Sequence, residues 1–87
     1  MTISKSASWA KLDNETVIIN NDTQKCLILD ESGSEIWEVF LSVLSYEQTI
    51  MNITEKYSEA DSETIRIDIT EMYELLVENG IVLEDLE

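Results

Sequence analysis

Apolar residues recur along this chain with two different periods, and the change from one to the other falls near residue 30. Before that point, short apolar runs alternate with clusters of turn formers. Residues 8–12, Ser-Trp-Ala-Lys-Leu, make a weakly patterned first strand, followed by a turn at Asp13, Asn14 and Glu15. Thr16, Val17, Ile18 and Ile19 are β-branched throughout, which suits a pleated surface. Asn20, Asn21, Asp22 and Thr23 are turn formers. Residues 25–29, Lys-Cys-Leu-Ile-Leu, make a third strand. Short polar connections between successive strands predict an antiparallel meander that leaves the third strand at an edge.

After residue 30 the spacing becomes helical. Asp30 or Ser32 caps the first helix, and Ser32 with Glu35 has the form of a capping box. Ile36, Trp37, Phe40, Leu41 and Leu44 then mark one face. Ser45 with Gln48 repeats the capping signal, and Tyr46, Ile50, Ile53 and Tyr57 carry the face of a second helix. A polar break at residues 58–62 ends it, and Asp61 or Ser62 caps a third helix over about 62–78. Here Ile65, Ile69, Met72 and Leu76 stack on one side, and Asn79-Gly80 supplies the stop. Ile81, Val82 and Leu83 form an apolar tail that packs back, and residues 84–87 are expected to fray.

These elements predict an α+β fold: a three-stranded antiparallel sheet followed by three helices, winged helix-turn-helix-like, with residues 1–87 as a single domain. Ordinary burial preferences place Leu29, Ile36, Trp37, Phe40, Ile53, Ile69 and Leu76 in the core, with Trp9 over the open face of the sheet. Of Leu27 and Ile28, one faces the helices and the other faces outward. The third helix carries an apolar arc wider than one stripe. Asp68 and Leu75 flank the core side of the arc at one margin, and Arg66, Tyr73 and Val77 flank it at the other. Met72 and Leu75 divide between core and groove. A wide apolar arc on one helix and an edge strand that is apolar on both faces are both candidates for a groove wall.

Composition sharpens this picture mainly through charge. Nineteen acidic residues against five basic ones give a net charge of −14. A field of that sign disfavours nucleic acid and anionic membrane surfaces as partners. It fits either solubility alone or fast encounter with a basic partner. The single cysteine, Cys26, excludes an internal disulfide and is expected to be a small buried hydrophobe. The first residues lack the apolar core of a signal peptide, and no run approaches the ~18 apolar residues of a membrane span. A soluble cytoplasmic protein is expected.

The chemistry of an enzyme is missing. With no histidine in the chain, the usual general base and metal ligand is absent, and no serine has a triad partner. Two isolated glycines build neither a phosphate loop nor a dinucleotide fingerprint, and the scattered aspartates form no calcium loop. Glu31-Ser32 lacks the Leu that follows the serine of an acyl carrier. Neither a catalytic residue, a metal nor a cofactor is expected. Binding is the remaining class.

The run from Leu29 to Trp37, Leu-Asp-Glu-Ser-Gly-Ser-Glu-Ile-Trp, resembles the L-N-x-T-G-x-x-I-W signature of the PqqD-like family. A later series, with Asp61, Glu63, Asp68-Ile69, Met72-Tyr73, Leu76 and Gly80-Ile81-Val82, resembles that family's helical pattern at the same spacing. Lys25 falls where the family often carries a basic residue after a hairpin turn. The likeness spans about residues 14–83. It implies a recognition element for ribosomally made, post-translationally modified peptides, in which the leader of a precursor is held as an added strand on the third strand, against the third helix. A free-standing version this short resembles the leader-binding proteins of lasso-peptide pathways, which work with a leader peptidase and a cyclase.

On that resemblance the peptide-binding residues are Lys25, Cys26, Leu27, Ile28 and Leu29 on the strand, and Ile65, Asp68, Ile69, Met72 and Leu75 on the helix. The implied ligand is a basic leader with spaced apolar residues. Asp68 is placed to receive a leader cation or to cap a backbone group. Three departures stand out: Asp30 replaces an Asn, Glu35 stands where an apolar residue is common, and Cys26 and Leu27 stand where aromatic residues are frequent. There are two rival readings. One is a winged-helix DNA-binding regulator, which shares the architecture and whose third helix would face phosphate with Glu63, Asp68, Glu71, Glu74 and Glu78 against Arg66. The other is a small acidic carrier or adaptor with no peptide groove.

Overall fold

The structure, a computed structural model, describes residues 2–84. In chain order the elements are β1 (Thr2–Ile3), β2 (Ala7–Leu12), β3 (Glu15–Asn20), β4 (Lys25–Leu29), α1 (Glu31–Val43), α2 (Tyr46–Lys56), α3 (Ser62–Glu78) and β5 (Val82–Leu83). The expected α+β architecture is present: β2, β3 and β4 form a three-stranded antiparallel meander, and three helices follow. One pairing has no counterpart in the sequence pattern. The apolar tail after α3 does pack back, but as β5, hydrogen-bonded to β1 in a second, two-stranded sheet. Residues 85–87, expected to fray, lie outside the described residues.

Strand register decides which side chains meet the helices. Thr16, Ile18 and Asn20 of β3 are buried, and Ile18 stands opposite Leu27, with Thr16 opposite Leu29. With a side-chain period of two, Leu27 and Leu29 therefore turn inward, and Cys26 and Ile28 turn outward. This corrects the expectation for Cys26, which is exposed rather than a buried hydrophobe. It also corrects Trp9. Its partner across the ladder is the buried Ile18, so its ring lies on the helix side, edge-on to Trp37 at 5.3 Å and 85°. The outward face carries Ala10, Leu12, Val17, Ile19, Cys26 and Ile28.

Trp37 is the central core residue, 1% exposed, with Ile18, Leu29, Phe40, Met72 and Leu76 in the same cluster. Its ring stacks on Phe40 at 6.1 Å. The Trp37 Nε1–H has no hydrogen-bond acceptor among the described residues. Such a donor costs about 1–3 kcal/mol. Removing a ring of this size from water returns about 4–6 kcal/mol, so the burial wins. Beside this cluster the hydroxyls of Thr16 and Ser34, both buried, meet at 2.7 Å and tie β3 to α1. A second cluster of Ile50, Ile53 and Ile69 joins α2 to α3.

The helix ends follow local chemistry. Asp30, not Ser32, caps α1, accepting from the Gly33 N–H at 2.8 Å. Ser45 caps α2 through the Gln48 N–H, and Asp61 caps α3. Leu44, expected on the apolar face of the first helix, is instead its C-cap. It lies in the left-handed region at φ 48° and is 46% exposed. After α3 the Ile81 N–H donates to Leu76 C=O and the Gly80 N–H to Val77 C=O, the paired bonds of a Schellman turn. Gly80 has φ +72°, and a Cβ there would meet Asn20 Nδ2 at 2.8 Å. That amide donates to the carbonyl of Asn79 and so ties the turn to β3. Among the described residues no helix is long and apolar enough to cross a membrane.

Two outcomes are expected. Gly80→Ala combines a strained φ with a clash against a hydrogen-bonded amide, so it should destabilise the fold by about 1–3 kcal/mol. Urea unfolding would show this as a lower midpoint at unchanged slope. The second concerns Tyr73, which lies between Phe40 and Tyr46 and donates to Glu84 at 3.0 Å. Burial first, then the Glu84 carboxylate, push its phenol up to about 12 from 10.0. The neutral phenol's contribution to stability is complete below pH 10 and is lost as pH rises toward about 12. Tyr73→Phe should flatten this alkaline fall in thermal midpoint.

Candidate functional site

β4 ends the three-stranded sheet, with β3 on one side and no described strand on the other. Its outer row of backbone N–H and C=O groups is an open template for another chain. Beside this edge runs a groove of about 430 Å³ between β4, the first turn of α1 and α3. Ile28 and Leu29 form the strand wall, and Asp68, Glu71, Met72 and Leu75 form the helix wall. Asp30, Ser32, Gly33 and Ile36 close the end where β4 passes into α1.

The closeness of that end depends on Gly33. A Cβ at this position would lie 3.2 Å from the Leu29 Cβ. Its absence lets the first turn of α1 seat directly on the end of the strand. The rim is acidic, since Asp30, Asp68 and Glu71 line the groove and no Lys or Arg does. The floor is apolar, with Met72 only 8% exposed while Ile28 and Leu75 stand 66% and 46% exposed.

Five of the ten residues singled out from sequence line this groove: Ile28, Leu29, Asp68, Met72 and Leu75. Ile65 lines an adjoining hollow of about 260 Å³. Leu27 is half-buried against the core. Lys25 and Cys26 lie on the open strand, exposed, without lining the groove. Ile69 is 3% exposed and packs on Ile50 and Ile53, behind the groove wall rather than in it. The helical period accounts for this: Asp68, Met72 and Leu75 share a flank that Ile69 turns away from. Five lining residues were not singled out: Asp30, Ser32, Gly33, Ile36 and Glu71. The first three belong to the Leu-Asp-Glu-Ser-Gly run, whose small and capping residues were the available signal that a helix start closes on the strand.

Glu35 is another departure with a structural role. Its carboxylate accepts from Lys56 Nζ and, at 2.5 Å, from the Tyr57 hydroxyl. Lys56 first, then Tyr57, hold the Glu35 carboxyl below its ordinary value, and Glu35 in turn raises Lys56. This clasp joins α1 to the end of α2 beside the hollow. Chemically, the site offers an unpaired backbone edge, an apolar trough and an acidic rim. Those are the elements by which a sheet receives an extended polypeptide.

Two solved structures share the fold. TbiB1 in complex with the TbiA(β) leader peptide is 25% identical, with 100% of both chains covered and a TM-score of 0.83. Lasso peptide synthetase B1 complexed with the leader peptide is 22% identical, covering 95% of this chain and 96% of that one, with a TM-score of 0.78. No curated protein matches the chain significantly. The family described as Coenzyme PQQ synthesis protein D (PqqD) matches residues 15–82, most of the sheet and all three helices, and the chain belongs to that family.

Proposed function

We propose that this protein binds the leader segment of a ribosomally synthesised precursor peptide without itself catalysing a reaction, and delivers it to a leader peptidase and a cyclase. The leader forms a fourth strand on the open edge of β4. Its backbone pairs with residues 25–29, and alternate side chains enter the groove against Met72 and Leu75. The observation that carries this reading is the coincidence of an unpaired strand edge with an apolar groove along the same strand. The two leader-peptide complexes that share the fold support it. The net charge of −14 and the acidic rim favour a leader rich in Lys or Arg. The same charge weighs against DNA, because α3 would present its acidic residues to phosphate.

The test is to titrate ¹⁵N-labelled protein with the leader segment of a precursor encoded beside its gene. Binding should be micromolar or tighter, about −8 kcal/mol or better, with amide shifts along residues 25–29. Ile28→Asp places a charge on the exposed edge strand at the margin of the groove and should weaken binding about tenfold or more, while Cys26→Ser should have little effect. Association should slow as salt rises. Shifts confined to α2 and the β1–β5 ribbon, with β4 silent, would reject strand addition.

A further inference from the structure

Past the end wall where β4 meets α1 lies the hollow of about 260 Å³ bounded by the start of α1, the end of α2 and the start of α3. Ser32, Ile36 and Asp68 line both spaces, so the two adjoin. Ile36, Ile53, Ile65 and Ala60 give the hollow an apolar lining. Two carboxylates stand on its walls, and they differ in state. Glu35 is engaged by Lys56 and Tyr57. Asp68 is exposed, and among the described residues no cation or hydrogen-bond donor reaches it.

We infer that this hollow is a second subsite, taking one long side chain with an aliphatic stem and a cationic tip, a lysine or arginine of the bound peptide. The inference rests on the leader-binding reading and adds to it. The stem lies along Ile36 and Ile65, and the tip pairs with Asp68. Length and charge select the occupant together. A short polar side chain leaves the isoleucines uncovered. An acidic one meets Glu35 and Asp68. A neutral aromatic one covers the isoleucines but also strips water from Asp68 without supplying a counter-charge, and an uncompensated carboxylate is expensive to desolvate. A lysine or arginine meets both demands, since its methylenes cover apolar surface while the charge stays at the rim.

The hollow lies past Leu29, so its occupant belongs to the part of the peptide flanking the paired stretch at that end. Every pairing among the described strands is antiparallel. A guest that keeps the pattern places this residue on the N-terminal side of its paired segment.

The experiment uses the same neighbouring-precursor leader and two protein variants whose substituted residues are exposed. Asp68→Asn removes the charge. Ala60→Trp fills the hollow from the loop between α2 and α3, a position that does not line the groove. Each should raise Kd about tenfold, and so should a leader whose flanking cation is replaced by Met. Asp68→Asn should then cost the Met-bearing leader little more, the non-additivity of a direct pair. Lysine and arginine versions distinguish a point charge from a planar fork. If both variants bind within about twofold of the parent while residues 25–29 still shift, the subsite is refuted and strand addition stands. Silence at residues 25–29 removes both proposals. Tighter binding by a leader with Phe at the flanking position overturns the cationic assignment.

Discussion

The seating of Trp37 against the sheet is the contact on which the remaining geometry depends. Its ring is closed in by Trp9, Phe40 and the buried Ile18, and it fixes how close α1 lies to β3. The hydroxyl pair of Thr16 and Ser34 sets the same distance one turn earlier, and Gly33 lets the first turn close on Leu29. With α1 held there, Met72 and Leu76 of α3 complete the same cluster from the other side. The gap left over β4 is the groove. Its width is thus set by the core contacts of the fold itself, as expected of a largely preformed site.

α3 serves two masters along its length. Ile69 and Leu76 face the interior, while Asp68, Glu71 and Leu75 face the groove. Met72 belongs to both, since it is a member of the main cluster and also lines the groove. An unbranched thioether is suited to such a place, because it can adjust to a guest without opening a void behind it. The open edge of β4 carries a liability as well, since the groups that would receive a peptide could also pair with another copy. The charge of −14 on each copy opposes that encounter.

Much of this was legible in the residues because it depends on local period and local chemistry. The three strands of the meander, the three helices, the Ser45 cap and the Gly80 stop all announce themselves within a few positions. So do the edge strand and the wide apolar arc on the last helix, each a candidate groove wall. What escaped was set by contacts distant in sequence or by geometry that a pattern leaves open. Two-residue strands have no period to detect, so β1 and β5 appear only once the chain ends are brought together. The sidedness of Cys26 and Trp9 follows from the ladder register with β3. Leu44 has the right spacing for the first helix face but falls where the backbone turns left-handed. At the site, Asp30 and Ser32 read as capping chemistry, and their second role, with Gly33, as the groove's end wall required the helix start to be placed over Leu29.

The ribbon of β1 and β5 has a consequence for how this fold can be used. It laces the entering and departing segments of the chain together. It does so near the Gly80 turn, which Asn20 anchors, while the groove is closed at the opposite end of the sheet, beside Thr16 and Leu29. Such a unit can be spliced into a longer polypeptide at one point, or carry cargo at either terminus, with the groove left clear.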